Sequence, residues 1–351
     1  MSIDLLKQDL KQHRKNKTAL GDALKHKQEH AAFKKDVLTL FLRLNGGHAQ
    51  HWMYGTNKRP DGTTGSGLYS DFIANNRHYY PIKAESALIH EVINKLSKEY
   101  DTMVEFGVGT RNSLLNKTAR IIRTQPNLKR FYGFDISQEN LDTARQVLSK
   151  HVPGLTLHDV CANFYTKRFR PQGKHVLGSF LGTTISNLNM MVGGTLPRNE
   201  LTKNLKKLVT NSKGTSGGSL LFSFDANDDW NQIDKAYSHP LHDKVIIGLM
   251  HDIHDKLKPE GNFNPLMWQH VQINDKKNHV KHLCIAPKQD QFFKIGRYEF
   301  EFRKDDTPLV ITNCFKIPVD VMLGMVEEAG LKRISAPISA DDNPMVMLEV
   351  A

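Results

Sequence analysis

The stretch Val104-Glu105-Phe106-Gly107-Val108-Gly109-Thr110 decides how this chain is read, together with Tyr132-Gly133-Phe134-Asp135 a little further on. In the first, an apolar run gives way to a glycine-spaced turn; in the second, an apolar run ends on a carboxylate. The pattern describes parallel strands whose carboxyl ends meet a ligand that carries adenosine. Glycine lets backbone amides come close to such a ligand, and Asp135 stands where it accepts hydrogen bonds from ribose hydroxyls. No third glycine follows, Arg111 standing in the stretch where a pyrophosphate-binding loop carries one. The shortened loop suits a cofactor without pyrophosphate, which points to S-adenosylmethionine rather than a dinucleotide. An ordinary strand-to-helix turn uses glycines in the same way, so the motif needs support from the rest of the chain.

Outward from that motif, strands and helices alternate. A helix is expected around 85–98, a strand at 102–106, a helix at 113–123, a strand at 130–134, and a helix at 138–150 behind the cap residue Ser137. Short strands follow at 155–159 and 173–180, then a helix at 200–211 and a strand at 219–225. This alternation predicts an α/β fold with a doubly wound parallel sheet. Upstream, residues 1–45 read as helical, with an apolar stripe through Ala32, Phe33, Val37, Leu40 and Phe41. Residues 54–67 are rich in glycine, threonine and asparagine and read as a loop. Beyond Asp229 the regularity breaks into helical stretches and a β-rich run over 279–303. A final helix at 319–329 leads to an edge segment at 345–350.

Composition narrows the class. The chain has 351 residues, 39% hydrophobic and 24% charged, which is ordinary for a globular protein able to bury a sizeable core. No apolar run is long enough to span a bilayer, and Met1 to Lys7 lacks a signal-peptide core. Cys161, Cys284 and Cys314 have no paired spacing, so a zinc site or disulfide framework is not expected and a cytoplasmic location is. The net charge is +11. Basic residues gather at Lys7, Lys11, Arg14, Lys15, Lys17, Lys25 and Lys27, and again at Lys203, Lys206 and Lys207. Acidic residues are interspersed, so these read as solvated helix faces rather than a nucleic-acid surface. His239, His242, His251 and His254 lie close in sequence, but no glutamate completes a zinc-binding helix pattern, and no metal is expected. Asp225, Asp228 and Asp229 read as caps of the following helix in preference to a cation site, and Trp230 and Trp268 as packing residues.

The string Phe180-Leu181-Gly182-Thr183-Thr184-Ile185-Ser186-Asn187-Leu188 places a small-residue turn with hydroxyls and an amide on the edge that carries Gly107 and Asp135. With Tyr79-Tyr80-Pro81-Ile82-Lys83-Ala84-Glu85, Ala236-Tyr237, Asp225 to Asp229, and Thr312-Asn313-Cys314-Phe315-Lys316, the chain resembles the histidine N-alpha-methyltransferase family of ergothioneine biosynthesis. Relatives in that family methylate other amino acids and amines. The resemblance runs from about Tyr54 to the C-terminus. It implies a Rossmann-like class I methyltransferase core with a second, inserted α+β substrate-binding domain. The expected partition is 1–80 as a helical segment and part of the substrate domain, 81–225 as core, 226–310 as insertion, and 311–351 completing the core.

The resemblance also implies roles. S-adenosylmethionine should meet Glu105, Gly107, Gly109 and Asp135, with adenine held at Asn163 and Phe164, where the family has an Asp-Phe pair. A small amine or amino-acid substrate should meet Tyr54, Tyr80, Asn187 and Tyr237; of these, Tyr80, Asn187 and Tyr237 would hold the reacting amine. One departure stands out. Histidine-specific members carry a Thr-Glu-x-Ser-x-Lys pattern whose Glu and Ser grip the imidazole, and here Thr312 and Cys314 stand at those positions. Loss of that carboxylate leaves an imidazole N–H unpaired at about 1–3 kcal/mol. The expectation is therefore an N-methyltransferase for a substrate other than histidine. The alternative is a protein on a methyltransferase scaffold that docks a macromolecule through its basic N-terminal helix. The oligomeric state and the number of methyl groups stay open.

Overall fold

The computed structural model describes residues 27–44, 49–55, 58–59, 61–187, 196–335, 337–338 and 344–351. The basic residues Lys7, Lys11, Arg14, Lys15, Lys17 and Lys25 lie outside the described residues, as does Leu188. The chain divides into two compact units, one of residues 1–67, 243–271 and 283–312, the other of residues 68–242, 272–282 and 313–351. The stretch 226–310 contributes to both.

The larger unit is built on a six-stranded sheet. Its strands are β1 (Thr102–Phe106), β2 (Arg130–Asp135), β3 (Thr156–Cys161), β4 (His175–Phe180), β5 (Gly217–Asp225) and β12 (Met345–Val350), in the order β12-β5-β4-β1-β2-β3. All neighbouring pairs are parallel except β12, which runs antiparallel to β5. β1 and β12 are buried along their whole length, so their apolar residues do not alternate with exposed ones, and the polar Thr102, Glu105 and Glu349 are buried with them. Alternate residues serve opposite faces. Leu220, Phe222 and Phe224 of β5 join one apolar cluster with α8 (Arg198–Asn211) and α11 (Val319–Glu328). Leu221 joins the other, with α4 (Tyr80–Lys95), α6 (Ala119–Arg123) and α7 (Gln138–His151). Helices on both faces make the sheet doubly wound, as the alternation predicts. Strand order reverses between β1 and β4, and ligands of such sheets bind in the crevice that opens there at the carboxyl ends.

Two helices differ from expectation in ways that matter below. α4 begins at Tyr80 rather than near residue 85, because Pro81 sits in its first turn, where the missing N–H is not needed. The segment after Gly109 starts as α5 (Arg111–Ser113), widens to a π-helical turn (Leu114–Thr118), and resumes as α6. The extra residue of that turn lets Lys117 and Thr118, adjacent in sequence, both point into the protein, where they are buried.

In the smaller unit, residues 27–41 form α1. Its buried stripe is Phe33, Val37, Leu40 and Phe41; Ala32 is exposed. Phe41 packs among Phe293, Phe300 and Phe302 at ring separations of 5.3–5.5 Å and stacks on Trp268 at 6.2 Å. β6 (Glu260–Gly261), β9 (Gln291–Ile295) and β10 (Tyr298–Phe302) make one small sheet of this unit; β7 (Trp268–Asp275), β8 (Val280–Pro287) and β11 (Leu309–Phe315) make another, of which residues 272–275, 280–282 and 313–315 count with the larger unit. Short α2 (Ala49–Trp52), most of α10 (Pro240–Leu257) and, in the larger unit, α9 (Trp230–Tyr237) and most of α3 (Gly65–Asn75) complete the α-helices among the described residues.

Gly218 on β5 is set by close approach. A Cβ there would lie 2.0 Å from the Ser212 carbonyl oxygen and 2.8 Å from that of Val176, both main chain and unable to step aside. Gly218→Ala is expected to destabilise the larger unit by about 2–3 kcal/mol. Urea unfolding read by circular dichroism would show this as a lowered midpoint; an unchanged midpoint would contradict it.

Candidate active site

The carboxyl edge of the parallel sheet gathers the residues expected to meet a cofactor. Gly107 (φ +78°) and Gly109 (φ +68°) both adopt the left-handed backbone that favours glycine, and the Gly107 N–H donates to Phe134 O at 2.7 Å. No atom lies within 4 Å of the point a Gly107 Cβ would occupy, so bare backbone faces open space. Asp135 ends β2; its Oδ1 accepts from Ser137 N at 2.9 Å, and Asn140 Nδ2 lies 3.4 Å from both oxygens. Burial raises its carboxyl above the ordinary range, against the pull of those hydrogen bonds. Beyond β3, Phe164 stands edge-on to Phe106 and Phe180 at 5.9 and 5.5 Å. Asn163 Oδ1, the atom the sequence offers to adenine, accepts from Tyr165 N at 2.8 Å, so one of its lone pairs is engaged in its own turn. Bare glycine backbone, a carboxylate and an aromatic ring on one sheet edge fit S-adenosylmethionine.

Glu105, on β1, is buried and accepts from Thr118 Oγ1 through both oxygens at 2.8 Å. Burial pushes its carboxyl up to about 8, against the Thr118 hydrogen bonds and the Lys117 charge. Glu85 of α4 is a second buried carboxylate. It accepts from Lys117 Nζ, from Ser223 Oγ of β5, and from Gly182 N at 2.6 Å. The turn it holds contains Thr183 at φ +59°, a left-handed conformation that is costly for a β-branched residue and is kept by its surroundings. That turn runs into a 3-10 helix (Thr184–Asn187). Oriented with its nitrogen toward two carbonyls, the Asn187 amide donates to Ser186 O at 3.1 Å and to Asn313 O at 3.0 Å. Its Oδ1 is then the end that can accept.

The three aspartates after β5 do not act alike. Asp229 caps α9, its Oδ1 accepting from Asn231 N at 2.9 Å and Gln232 N at 3.1 Å. Asp225 instead lies at the centre of a buried cluster. Its Oδ2 accepts from the Tyr80 hydroxyl and from Lys316 Nζ, both at 2.6 Å, and its Oδ1 accepts from Asn227 N at 3.0 Å. The Lys316 and Asp225 side chains are 1% and 3% exposed. Lys316 also donates to the Tyr237 hydroxyl at 3.3 Å and lies over the rings of Tyr80 and Tyr237 at 5.6 and 5.0 Å. The ring faces of Tyr80 and Tyr237 therefore already carry a cation. Burial, then the Asp225 charge, holds the Tyr80 hydroxyl well above the ordinary tyrosine range, and burial does the same for Tyr237. Cys314 is buried, and burial raises its thiol too. All these hydroxyls and the thiol are neutral at physiological pH.

Tyr80, Tyr237 and Cys314 thus come together around Asp225 and Lys316, and Asn187 joins them through the Asn313 carbonyl. Tyr54 and Thr312 belong to the smaller unit, where Tyr54 is exposed and Thr312 buried. Lys316 lies in a quoted motif, but no local signal pairs it with Asp225, ninety-one positions away. His242 is a packing residue, stacked on Phe72 at 4.8 Å with Nδ1 3.0 Å from Tyr237 O. Among the described residues, no group of three or more His, Cys, Asp or Glu could hold a metal ion, and no helix is long and apolar enough to cross a membrane.

The Glu105 carboxyl gives a pH test. Folded, it keeps its proton to about pH 8; unfolded, it releases it near 4.5. Between those values the folded state binds more protons, so stability falls as pH rises. The contribution is complete below pH 4.5 and gone above pH 8. In the cofactor-free protein, Glu105→Gln should gain on the parent steadily from pH 5 to 8 in urea unfolding. Parallel stability profiles for the two proteins would contradict this.

Residues 49–348 match the family described as histidine-specific, SAM-dependent methyltransferase. The N-methyltransferase fsqC of Aspergillus fumigatus is 24% identical over 284 residues, 74% of this chain and 69% of that protein. The histidine N-alpha-methyltransferase of Mycolicibacterium smegmatis is 30% identical over 181 residues, 49% of this chain and 51% of that protein, so the chain spans about half its length. Among solved structures, an S-adenosylmethionine-dependent methyltransferase from Clostridium acetobutylicum aligns over 81% of this chain and 96% of its own, with a TM-score of 0.42 and 14% identity. With a family match over most of its length, the chain belongs to the histidine-specific, S-adenosylmethionine-dependent methyltransferase family and is an N-methyltransferase that uses that cofactor.

Proposed function

We propose that this enzyme methylates the amine of an amino acid or related small amine whose side chain is neutral or apolar, and that histidine is not its substrate. The observation that carries this reading is Cys314, a buried neutral thiol beside Tyr237 and Lys316 where the histidine-specific pattern has a serine. Thr312 stands where that pattern has a glutamate. Neither replacement supplies the negative charge that grips an imidazole, and sites that recognise substrates by hydrogen bonds discriminate strongly when a partner is lost.

The chain's own residues suffice for positioning. The bare backbone at Gly107 and Gly109 would admit the cofactor closely, Asp135 would accept from its ribose hydroxyls, and Phe164 would hold its adenine. Asn163 keeps one Oδ1 lone pair for the adenine amino group. When bound, S-adenosylmethionine supplies an electrophilic methyl group on a sulfonium. Tyr80 donates its only proton to Asp225, so its oxygen presents lone pairs. Asn187, with its nitrogen committed to two carbonyls, presents Oδ1. Two acceptors suit the N–H groups of an amine and leave its lone pair free for in-line attack. Alignment of this kind supplies much of the rate of a displacement. Asp225, already accepting from Tyr80, Lys316 and Asn227, serves as a fixed anchor rather than as the base.

Radiolabelled methyl transfer to a panel of amino acids and amines tests the reading. Turnover is expected with a neutral or apolar amine and at least about tenfold less with L-histidine, the scale of one lost hydrogen bond. Asn187→Ala should lower that turnover by about 100-fold with S-adenosylhomocysteine affinity unchanged in calorimetry. Histidine turned over as well as any other amine would end the proposal.

A further inference from the structure

Beside Tyr80, on the larger unit, lies a recess of about 250 Å³ lined by Arg77, His78, Lys83 and Lys235, with Gln232 and Tyr80 in its wall. No carboxylate lines it. Three fixed cations, Arg77, Lys83 and Lys235, face one small volume and repel one another, and the nearby acids Asp229 and Asp234 are committed elsewhere. Asp229 caps α9, and Asp234 is turned to Lys281 Nζ at 2.7 Å and Asn274 Nδ2 at 2.8 Å. Among the described residues, Arg77, Lys83 and Lys235 make no ion pair.

The donors are also preset. Arg77 spends Nε on His78 Nε2 at 3.1 Å, which leaves its two terminal nitrogens for bidentate contact with an oxyanion. Lys83 Nζ donates to Arg77 O at 3.3 Å, tying that side chain to the segment it faces and leaving two N–H groups. Gln232 and Lys235 lie one turn apart on α9 and so share a face of that helix.

We propose that this recess binds a small oxyanion, a carboxylate or phosphate group, held by Arg77, Lys83 and Lys235. Tyr80 gives the site its meaning: it walls the recess and its hydroxyl holds Asp225 in the buried cluster. The oxyanion is either the carboxylate of the amino-acid substrate or a free anion bound beside it. The recess chemistry does not depend on the substrate reading above; only the assignment to a substrate carboxylate rests on it.

The test is calorimetry of the full chain, saturated with S-adenosylhomocysteine, titrated with inorganic phosphate at low ionic strength. Phosphate should bind, less tightly as sodium chloride is added. Lys83→Gln/Lys235→Gln should weaken it at least about tenfold, and Arg77→Gln, made separately, should weaken it too, each with S-adenosylhomocysteine affinity unchanged. Acetate and glycine, which share a carboxylate and differ in the amine, separate the sources. Glycine displacing phosphate better than acetate, and losing that advantage in Asn187→Ala, assigns the site to an amino-acid carboxylate. Equal displacement assigns it to a free anion. No phosphate binding by the parent, or equal binding by the charge-removed variants, would overturn the proposal. Because S-adenosylhomocysteine binding is read in the same samples, such failure would leave the methyltransferase assignment standing.

Discussion

The buried ion pair between Asp225 and Lys316 is the constraint on which the site depends. Two charges removed from water are held together only if their remaining hydrogen-bonding capacity is met, and removing one partner costs about 3–5 kcal/mol. Here that capacity is met by site residues themselves. Tyr80 and Asn227 complete Asp225, and Tyr237 receives a second Lys316 N–H. The Ile317 N–H donates to the Asp225 carbonyl at 2.7 Å, so main chain and side chain repeat the same connection. The start of α4, the end of β5, the segment after β11 and the end of α9 are thereby fixed to one point. Such a pair adds little net stability over a well-packed apolar core. What it does here is give Tyr80 and Tyr237 one arrangement.

A second buried carboxylate, Glu85, repeats the device beside the Gly182 turn. Ser223 and Asp225 are two residues apart on β5 and so project to the same face. Ser223 serves Glu85, which also holds Lys117 and the Gly182 N–H; Asp225 serves Lys316. One strand therefore supports both the turn leading to Asn187 and the tyrosine cluster. The π-helical turn belongs to the same design, because only its extra residue brings Lys117 to Glu85 and Thr118 to Glu105 together. The turn leading to Asn187 and the tyrosine cluster are registered against each other through β5 rather than through loops.

Much of this was legible in sequence where the signal is local. Parallel strands buried on both faces read as short, mainly apolar runs without strict alternation, so β1, β2, β4 and β5 were visible, and the Gly107–Gly109 spacing marked the turn. Pro81 masked the start of α4, since proline ends helices more often than it opens them. β11 was missed because buried Thr312 and Asn313 break its apolar run, and Gly65 and Gly67 drew the first turn of the Gly65–Asn75 helix into the loop read over 54–67. The role of Lys316 depends on β5 and the segment after β11 meeting, which no spacing encodes. The same holds for Asp225: three clustered aspartates look alike, and only Asp229 has free helix-start amides two and three residues ahead of it.

The most direct measurement is a double-mutant cycle on the buried pair, comparing the parent with Asp225→Asn, Lys316→Met and the two combined in urea unfolding. Each single change should cost about 3–5 kcal/mol by leaving a charge buried without its partner, and the combined variant should recover most of that loss. Additive losses, or single variants as stable as the parent, would contradict the central place given to Asp225 and Lys316.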